Sequence, residues 1–179
     1  MRAVYMKGMD ENFNRTIRAG NIKDAPQAHV LVAGEGIRAE LAALYGLPGI
    51  SLLRGEFVLQ HERAGVIAAQ LRMQARVTQI CVVTLAPFDA RIDERTELRF
   101  VPAGSLPESE GVELDAETLE GPDEIPYSGD LIDLGAALAE QLALALDPYP
   151  RSPGAALPEE FLDSAENPFA VLKARREKD

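Results

Sequence analysis

The chain has 179 residues, 46% of them hydrophobic, enough for one sizeable core, and its 29 acidic against 18 basic residues give a formal net charge of -11. That balance excludes a protein that grips nucleic acid by bulk positive charge. Cys81 is the only cysteine, which excludes an intrachain disulfide, and no stretch approaches the roughly 20 uninterrupted apolar residues of a spanning helix, which predicts a soluble, cytoplasmic protein with no membrane contact.

In chain order, Ala28 to Ala33 is a short apolar run and predicts a strand containing His29. Glu35 to Tyr45 places Ile37, Leu41, Leu44 and Tyr45 at three-to-four spacing before Gly46 and Pro48, the pattern of an amphipathic helix. The period then changes to two. A strand through Leu53 to His61, a turn at Ala64 and Gly65, and a long alternating strand from Val66 to Leu85 predict an antiparallel hairpin. Arg91 to Val101 alternates again and predicts a third member of the sheet. Gly104 to Pro126 has the composition of an acidic, mobile loop. Asp133 to Leu146 predicts a second helix, with Asp130 or Asp133 as N-cap and Pro148 and Pro150 as its stop. Leu131, Leu134, Leu138, Leu142 and Ala145 form its apolar stripe, and Leu144 on the opposite side is expected to be covered. The fold class is therefore α+β, a mainly antiparallel curved sheet with two packed helices. One globular domain spans residues 1–151, a linker 152–166 and a short terminal helix or tail 167–179.

Catalytic chemistry has no visible support. His29 and His61 fall in strands, and no Ser or Cys sits in a nucleophile elbow. Gly34-Glu35-Gly36-Ile37-Arg38-Ala39 has dinucleotide-turn spacing, but alternating antiparallel strands follow it instead of buried parallel ones, so the glycines are expected to shape a strand-to-helix turn. Cys81 shares the parity of Leu71 and Met73 and is expected to be a buried apolar filler, and one Cys with two His cannot alone furnish a four-ligand zinc site. No cofactor is implied.

Two features point to binding. Arg72 and Arg76 share a strand face with Gln70, Gln74 and Thr78, and Arg91, Arg95 and Arg99 share one parity on the next strand, an arrangement suited to a phosphate backbone or to an ordinary solvated face with cross-strand ion pairs. At the end, Asn167 as N-cap and Pro168 as first helical residue predict a short helix carrying Phe169 and Leu172 on one side, followed by Lys173, Arg175, Arg176 and Lys178. This basic, apolar tail is a candidate docking element, or it folds back on its own domain.

Three segments together resemble one family: Gln79-Ile80-Cys81-Val82-Val83-Thr84-Leu85-Ala86-Pro87-Phe88; Asp133-Leu134 opening a helix with Glu140 and ending at Asp147-Pro148-Tyr149-Pro150-Arg151; and Asn167-Pro168-Phe169-Ala170-Val171-Leu172. In their order and spacing the chain resembles the YceD family, the large ribosomal RNA subunit accumulation proteins, in the form typical of alphaproteobacteria. The resemblance implies a non-enzymatic factor for synthesis, processing or stability of 23S rRNA, with the precursor large subunit as partner through RNA, a ribosomal protein or both. It gives Cys81, Pro87, Phe88, Asp133, Leu134, Glu140, Pro148 and Pro150 a structural role. Many relatives carry a second cysteine where Thr84 stands, so any metal they hold there is not expected here. The alternative is an acidic adaptor or chaperone for a basic large-subunit ribosomal protein.

Overall fold

The computed structural model describes residues 13, 15–105 and 121–156. Strand β1 (Thr16–Arg18) leads through a 3-10 turn to β2 (Gln27–Val32), helix α1 (Glu35–Leu44), β3 (Gly49–His61), β4 (Ile67–Ile80), β5 (Pro87–Pro102), β6 (Asp123–Tyr127), β7 (Leu131–Asp133) and α2 (Leu134–Ala145). The main sheet has five strands in the order β2-β3-β4-β5-β6, antiparallel except for the parallel β5–β6 pair, and β1 pairs with β7 in a separate two-stranded sheet. The α+β class read from the sequence therefore holds.

Alternation along β4 decides which way the sheet faces. Ile67, Ala69, Leu71, Met73, Ala75 and Val77 are each at most 3% exposed, and they join Leu53, Phe57, Leu59, Leu98 and Phe100 in the core. Gln70, Arg72 and Arg76 point the other way and are exposed. The β3–β4 turn has consecutive positive φ at Ala64 (55°) and Gly65 (80°), the backbone of a primed turn whose twist matches a tight hairpin. Tyr127 Oη donates to the Gly65 carbonyl at 2.7 Å, tying β6 to this turn.

Asp133 caps α2, its Oδ1 accepting from the Ala136 N–H at 3.0 Å. Leu134, Leu138 and Leu142, one turn apart, are fully buried against the sheet. Helix α2 sits close because Gly55 of β3 has no side chain: a Cβ built there would lie 2.8 Å from Leu138 Cδ1 and 2.9 Å from its Cδ2. Tyr45 Oη, at the end of α1, donates to the Ala139 carbonyl at 2.8 Å and joins the two helices.

Several expectations need correction. Strand β4 ends at Ile80, short of Leu85, because the chain turns at Cys81–Thr84. The expected acidic loop, which ran to Pro126, overlaps β6 (Asp123–Tyr127) from Asp123 onward, with Pro126 tolerated on a sheet edge. Leu131 belongs to β7 and is 47% exposed instead of lying on the helix stripe. Leu44 (73%) and Leu144 (67%) are exposed among the described residues, so neither packs as its periodicity or apolarity suggested. Asp130 is no cap; with φ of 60° its carboxylate accepts from the Gly20 N–H at 2.9 Å.

The Gly55–Leu138 approach yields a direct expectation. Gly55→Ala forces Leu138 off its seat and lowers stability by about 1–3 kcal/mol in a denaturant titration. Combining it with Leu138→Ala leaves a total loss smaller than the sum of the single losses.

Candidate nucleic-acid interface and the Cys81 clamp

The arginines expected on one face are brought together by the register of β4 and β5. Arg72 lies opposite Arg95, Arg76 opposite Arg91, and Arg99 opposite Ala68. All five point away from the core, on a face with no helix over it among the described residues. Like charges directly opposite each other destabilise an antiparallel pair, so each must be offset by an anion or by water.

The sheet offsets only some of them. Arg72 makes a two-pronged contact with Asp93, at 3.3 Å to Oδ1 and 3.2 Å to Oδ2, and Gln74 Nε2 donates to the same Oδ2 at 3.0 Å. These donors hold the Asp93 carboxyl below its usual range, Arg72 first and Gln74 second. Arg99 Nε lies 3.6 Å from Glu62, and Arg54 pairs with Glu56 at 2.6 Å on the neighbouring strand. Arg76, Arg91 and Arg95 have no ion pair within 4.0 Å among the described residues. Among the described residues, three cations of the row thus remain without an ion pair, Arg95 still within the field of Asp93, while Arg72 and Arg99 are paired. The open depression beside them, lined by Glu56, Val58, Gln70, Arg72, Arg95 and Glu97, mixes both signs and does not favour a small anionic metabolite.

At the end of the same hairpin, the turn after β4 grips the segment after α2. Gln79 Nε2 donates to the Asp147 carbonyl at 3.1 Å, and the Val82 N–H donates to the Pro150 carbonyl at 2.9 Å. Cys81 is buried, and its Sγ accepts from the Thr84 N–H at 3.4 Å and the Ser152 N–H at 3.3 Å. Hydrogen bonds from Thr84 and then Ser152 lower the thiol to about 6, outweighing the opposing effect of burial. Cys81 is buried as expected, but as a hydrogen-bond acceptor for two loops and not only an apolar filler. Leu85 closes the turn at φ 57°, held by its N–H to the Cys81 carbonyl at 2.9 Å, with its side chain 76% exposed.

Two of the three motif segments noted in the sequence therefore meet in space, although about seventy residues of chain separate the residues in contact. A family model, YceD, the large ribosomal RNA subunit accumulation protein, matches residues 69–174. The chain belongs to the YceD family. No curated protein and no solved structure matches it. The matched stretch opens inside β4, so the YceD match takes in the arginine-bearing strands, the Cys81 turn and α2.

Within this YceD chain, Asp133 and Leu134 are cap and core of α2, whereas Glu140 is exposed on that helix, where it helps burial to raise the Tyr45 hydroxyl. Pro148 and Pro150 belong to the gripped segment, and Pro87 and Phe88 open β5 opposite Ile80 and Gln79. Thr84 uses its Oγ1 to accept from the Ala86 N–H at 3.4 Å. No group of three or more metal-ligating side chains occurs among the described residues, and no helix there is long and apolar enough to cross a membrane. Gly34–Ala39 is a plain strand-to-helix turn in which Arg38 donates to the Ala33 carbonyl at 2.7 Å. His61 lies 3.3 Å from Asp24, and burial, with Arg15 adding to it, lowers His29. The tail residues Asn167, Pro168, Phe169, Leu172, Lys173, Arg175 and Arg176 lie outside the described residues.

Parity in the sequence finds the arginine row but not its partners: Asp93, on the same face of β5, takes Arg72, and Glu62, just past the end of β3, takes Arg99.

The Cys81 clamp titrates. Because the folded thiol is depressed from 9.0 to about 6, the unfolded chain binds more protons between these values. Stability then rises with pH across that window and is lost as pH falls through about 6. Thermal melts should show this slope in the wild type and a flatter profile in Cys81→Ala, whose midpoint also falls by several degrees.

Proposed function

We propose that this YceD protein is a non-enzymatic, cytoplasmic ribosome-biogenesis factor that supports synthesis, processing or stability of 23S rRNA, and that it meets RNA of the precursor large subunit through the β4–β5 arginine row. The observation that carries this reading is the row itself: two arginine–arginine oppositions on an uncovered sheet face, with Arg76, Arg91 and Arg95 lacking a carboxylate partner among the described residues. On a chain of net charge -11, such a local row favours a few oriented phosphate contacts over general attraction to RNA. Arg72 and Arg99, already paired, serve as framework.

Crosslinking of tagged protein in cells tests the reading. Direct crosslinks to 23S rRNA support it; a salt-sensitive complex with one free ribosomal protein and no RNA crosslink supports the acidic adaptor instead. With a 23S fragment in vitro, three free arginines give a log–log salt slope of about -2, and Arg76→Gln reduces its magnitude by about 0.7. Arg99→Gln should leave crosslink yield within about twofold of wild type, because that side chain is spent on Glu62.

The tail is assigned a docking role. Its basic, apolar sequence follows a segment anchored at the Cys81 clamp. Removing residues 167–179 should leave the melting profile unchanged and reduce cosedimentation with precursor large subunits several-fold. Undiminished cosedimentation removes the tail from the interface.

A further inference from the structure

Strand β5 has one bare edge. Its other side pairs with β4 from Pro87 to Phe100, but β6 joins it only from Leu98 to Pro102, so among the described residues no strand lies beside Pro87–Glu97. Gly121 and Pro122 approach only the far end of that stretch, near Arg95–Glu97. An open edge of this length presents unpaired backbone N–H and C=O groups to any strand that fits them. Its inward row, Phe88, Ala90 and Ile92, is half-buried and flanks a cleft completed by Ala145 and Pro150, so apolar surface continues to the edge.

The charges along the edge are arranged to accept their own copy. The outward residues run Asp89, Arg91, Asp93, Arg95. Turn a second β5 antiparallel about a two-fold axis at Ile92, and residues whose numbers mirror about 92 face each other. Arg91 then meets Asp93 of the second copy, Arg95 meets its Asp89, and symmetry repeats both pairs. On the inward row Ile92 meets Ile92, Phe88 meets Thr96, and Glu94 stands opposite the small side chain of Ala90 with room to reach solvent. Shifting the register by two residues in one direction sets Arg91 against Arg91 and Asp89 against Asp93. Shifting it the other way sets Arg91 against Arg95 and Asp93 against Asp93. Of these three registers only the central one gives Asp89, Arg91, Asp93 and Arg95 each an opposite charge; a shift of four, centred on Glu94, again pairs Arg91 with Glu97 and Asp93 with Arg95, but it uses only residues 91–97 of the edge and sets Glu94 against Glu94 on the inward row.

The cations that would enter the seam are also ones left unpaired within the chain. Arg91 and Arg95 have no ion pair among the described residues, and Asp89 has only the Thr78 hydroxyl, at 2.8 Å. We propose that the bare edge of β5 binds a second copy of this chain through antiparallel β5–β5 pairing centred on Ile92, joining two five-stranded sheets into one. The contact is isologous, as closed two-fold dimers require. The seam engages Arg91 and Arg95, so the full arginine row meets RNA in the monomer and Arg76 alone stays unpaired in the dimer; Arg76→Gln changes RNA contact without changing mass, which keeps failure of the two readings distinguishable.

Sedimentation velocity of the full chain, with circular dichroism to verify folding, tests this. The wild type should show a concentration-dependent shift from 19.4 kDa toward twice that mass. Arg91→Asp, which faces Asp93 of the second copy, should raise the dimer dissociation constant at least tenfold. The double variant Arg91→Asp/Asp93→Arg, which restores opposite charges in swapped positions, should recover most of that loss. Hydrogen exchange should slow at β5 amides 88–94 as concentration rises. A wild type that stays monomeric at its highest soluble concentration overturns the proposal. So does a dimer indifferent to Arg91→Asp, a folded double variant that fails to recover, or β5 edge protection that is already complete in the monomer.

Discussion

Everything in this molecule is set by how closely α2 lies on the sheet. Where β3 passes beneath the helix it presents Gly55, and Leu138 descends into the space a side chain would have filled. That contact fixes the height of the helix, which places the Ala139 carbonyl within reach of the Tyr45 hydroxyl and delivers the Asp147–Ser152 segment to the turn after β4. The buried faces of Leu134, Leu138 and Leu142 supply the apolar burial that holds the layer down. Raising the helix by one methyl group would disturb the core and the Cys81 clamp together.

With its apolar side sealed, the sheet is free to use the other side for charge. The local field there differs from that of the whole protein: an acidic chain carries a short row of arginines of which only Arg72 and Arg99 make an ion pair among the described residues. At physiological ionic strength, interactions beyond about 8 Å are strongly screened for exposed groups. A phosphate close to Arg76 therefore responds to its immediate neighbours far more than to the net charge. In the proposed RNA-binding role, this lets a protein of net charge -11 offer a contact to RNA without attracting it indiscriminately.

Much of this architecture was written in alternation. The period-two run through Ile67–Val77 identified both faces of β4, and Pro148 marked the end of α2. The short hairpin and the capping aspartate are local events, decided by residues a few positions apart. What escaped was non-local. Strand β6 reads as acidic loop because its partner lies far back in the chain and its own sequence contains Pro126. Leu44 and Leu144 obey helical spacing or high apolarity, yet the sheet reaches neither. At the arginine row the cations were visible, whereas the role of Asp93 depended on the β4–β5 register that sets it opposite Gln74 and within reach of Arg72. The motif segments single out Cys81 and Pro150; the fold joins their neighbourhoods, through the Val82 N–H on the Pro150 carbonyl and the Ser152 N–H on the Cys81 sulfur.

The lone parallel pairing also sets an order of assembly. His61 and Ile67 close the β3–β4 hairpin across six positions, whereas Leu98 and Asp123 must close across 25 to form the first β5–β6 pair. The difference in loop-closure entropy is about 1 kcal/mol, against a parallel ladder of only five residue pairs. Strand β6 is therefore expected to join the sheet after the central hairpin has formed and to leave it before that hairpin opens, with the Tyr127 hydroxyl on Gly65 as its latch. The central hairpin, still flanked by β2 and β5, is expected to stay paired through that opening.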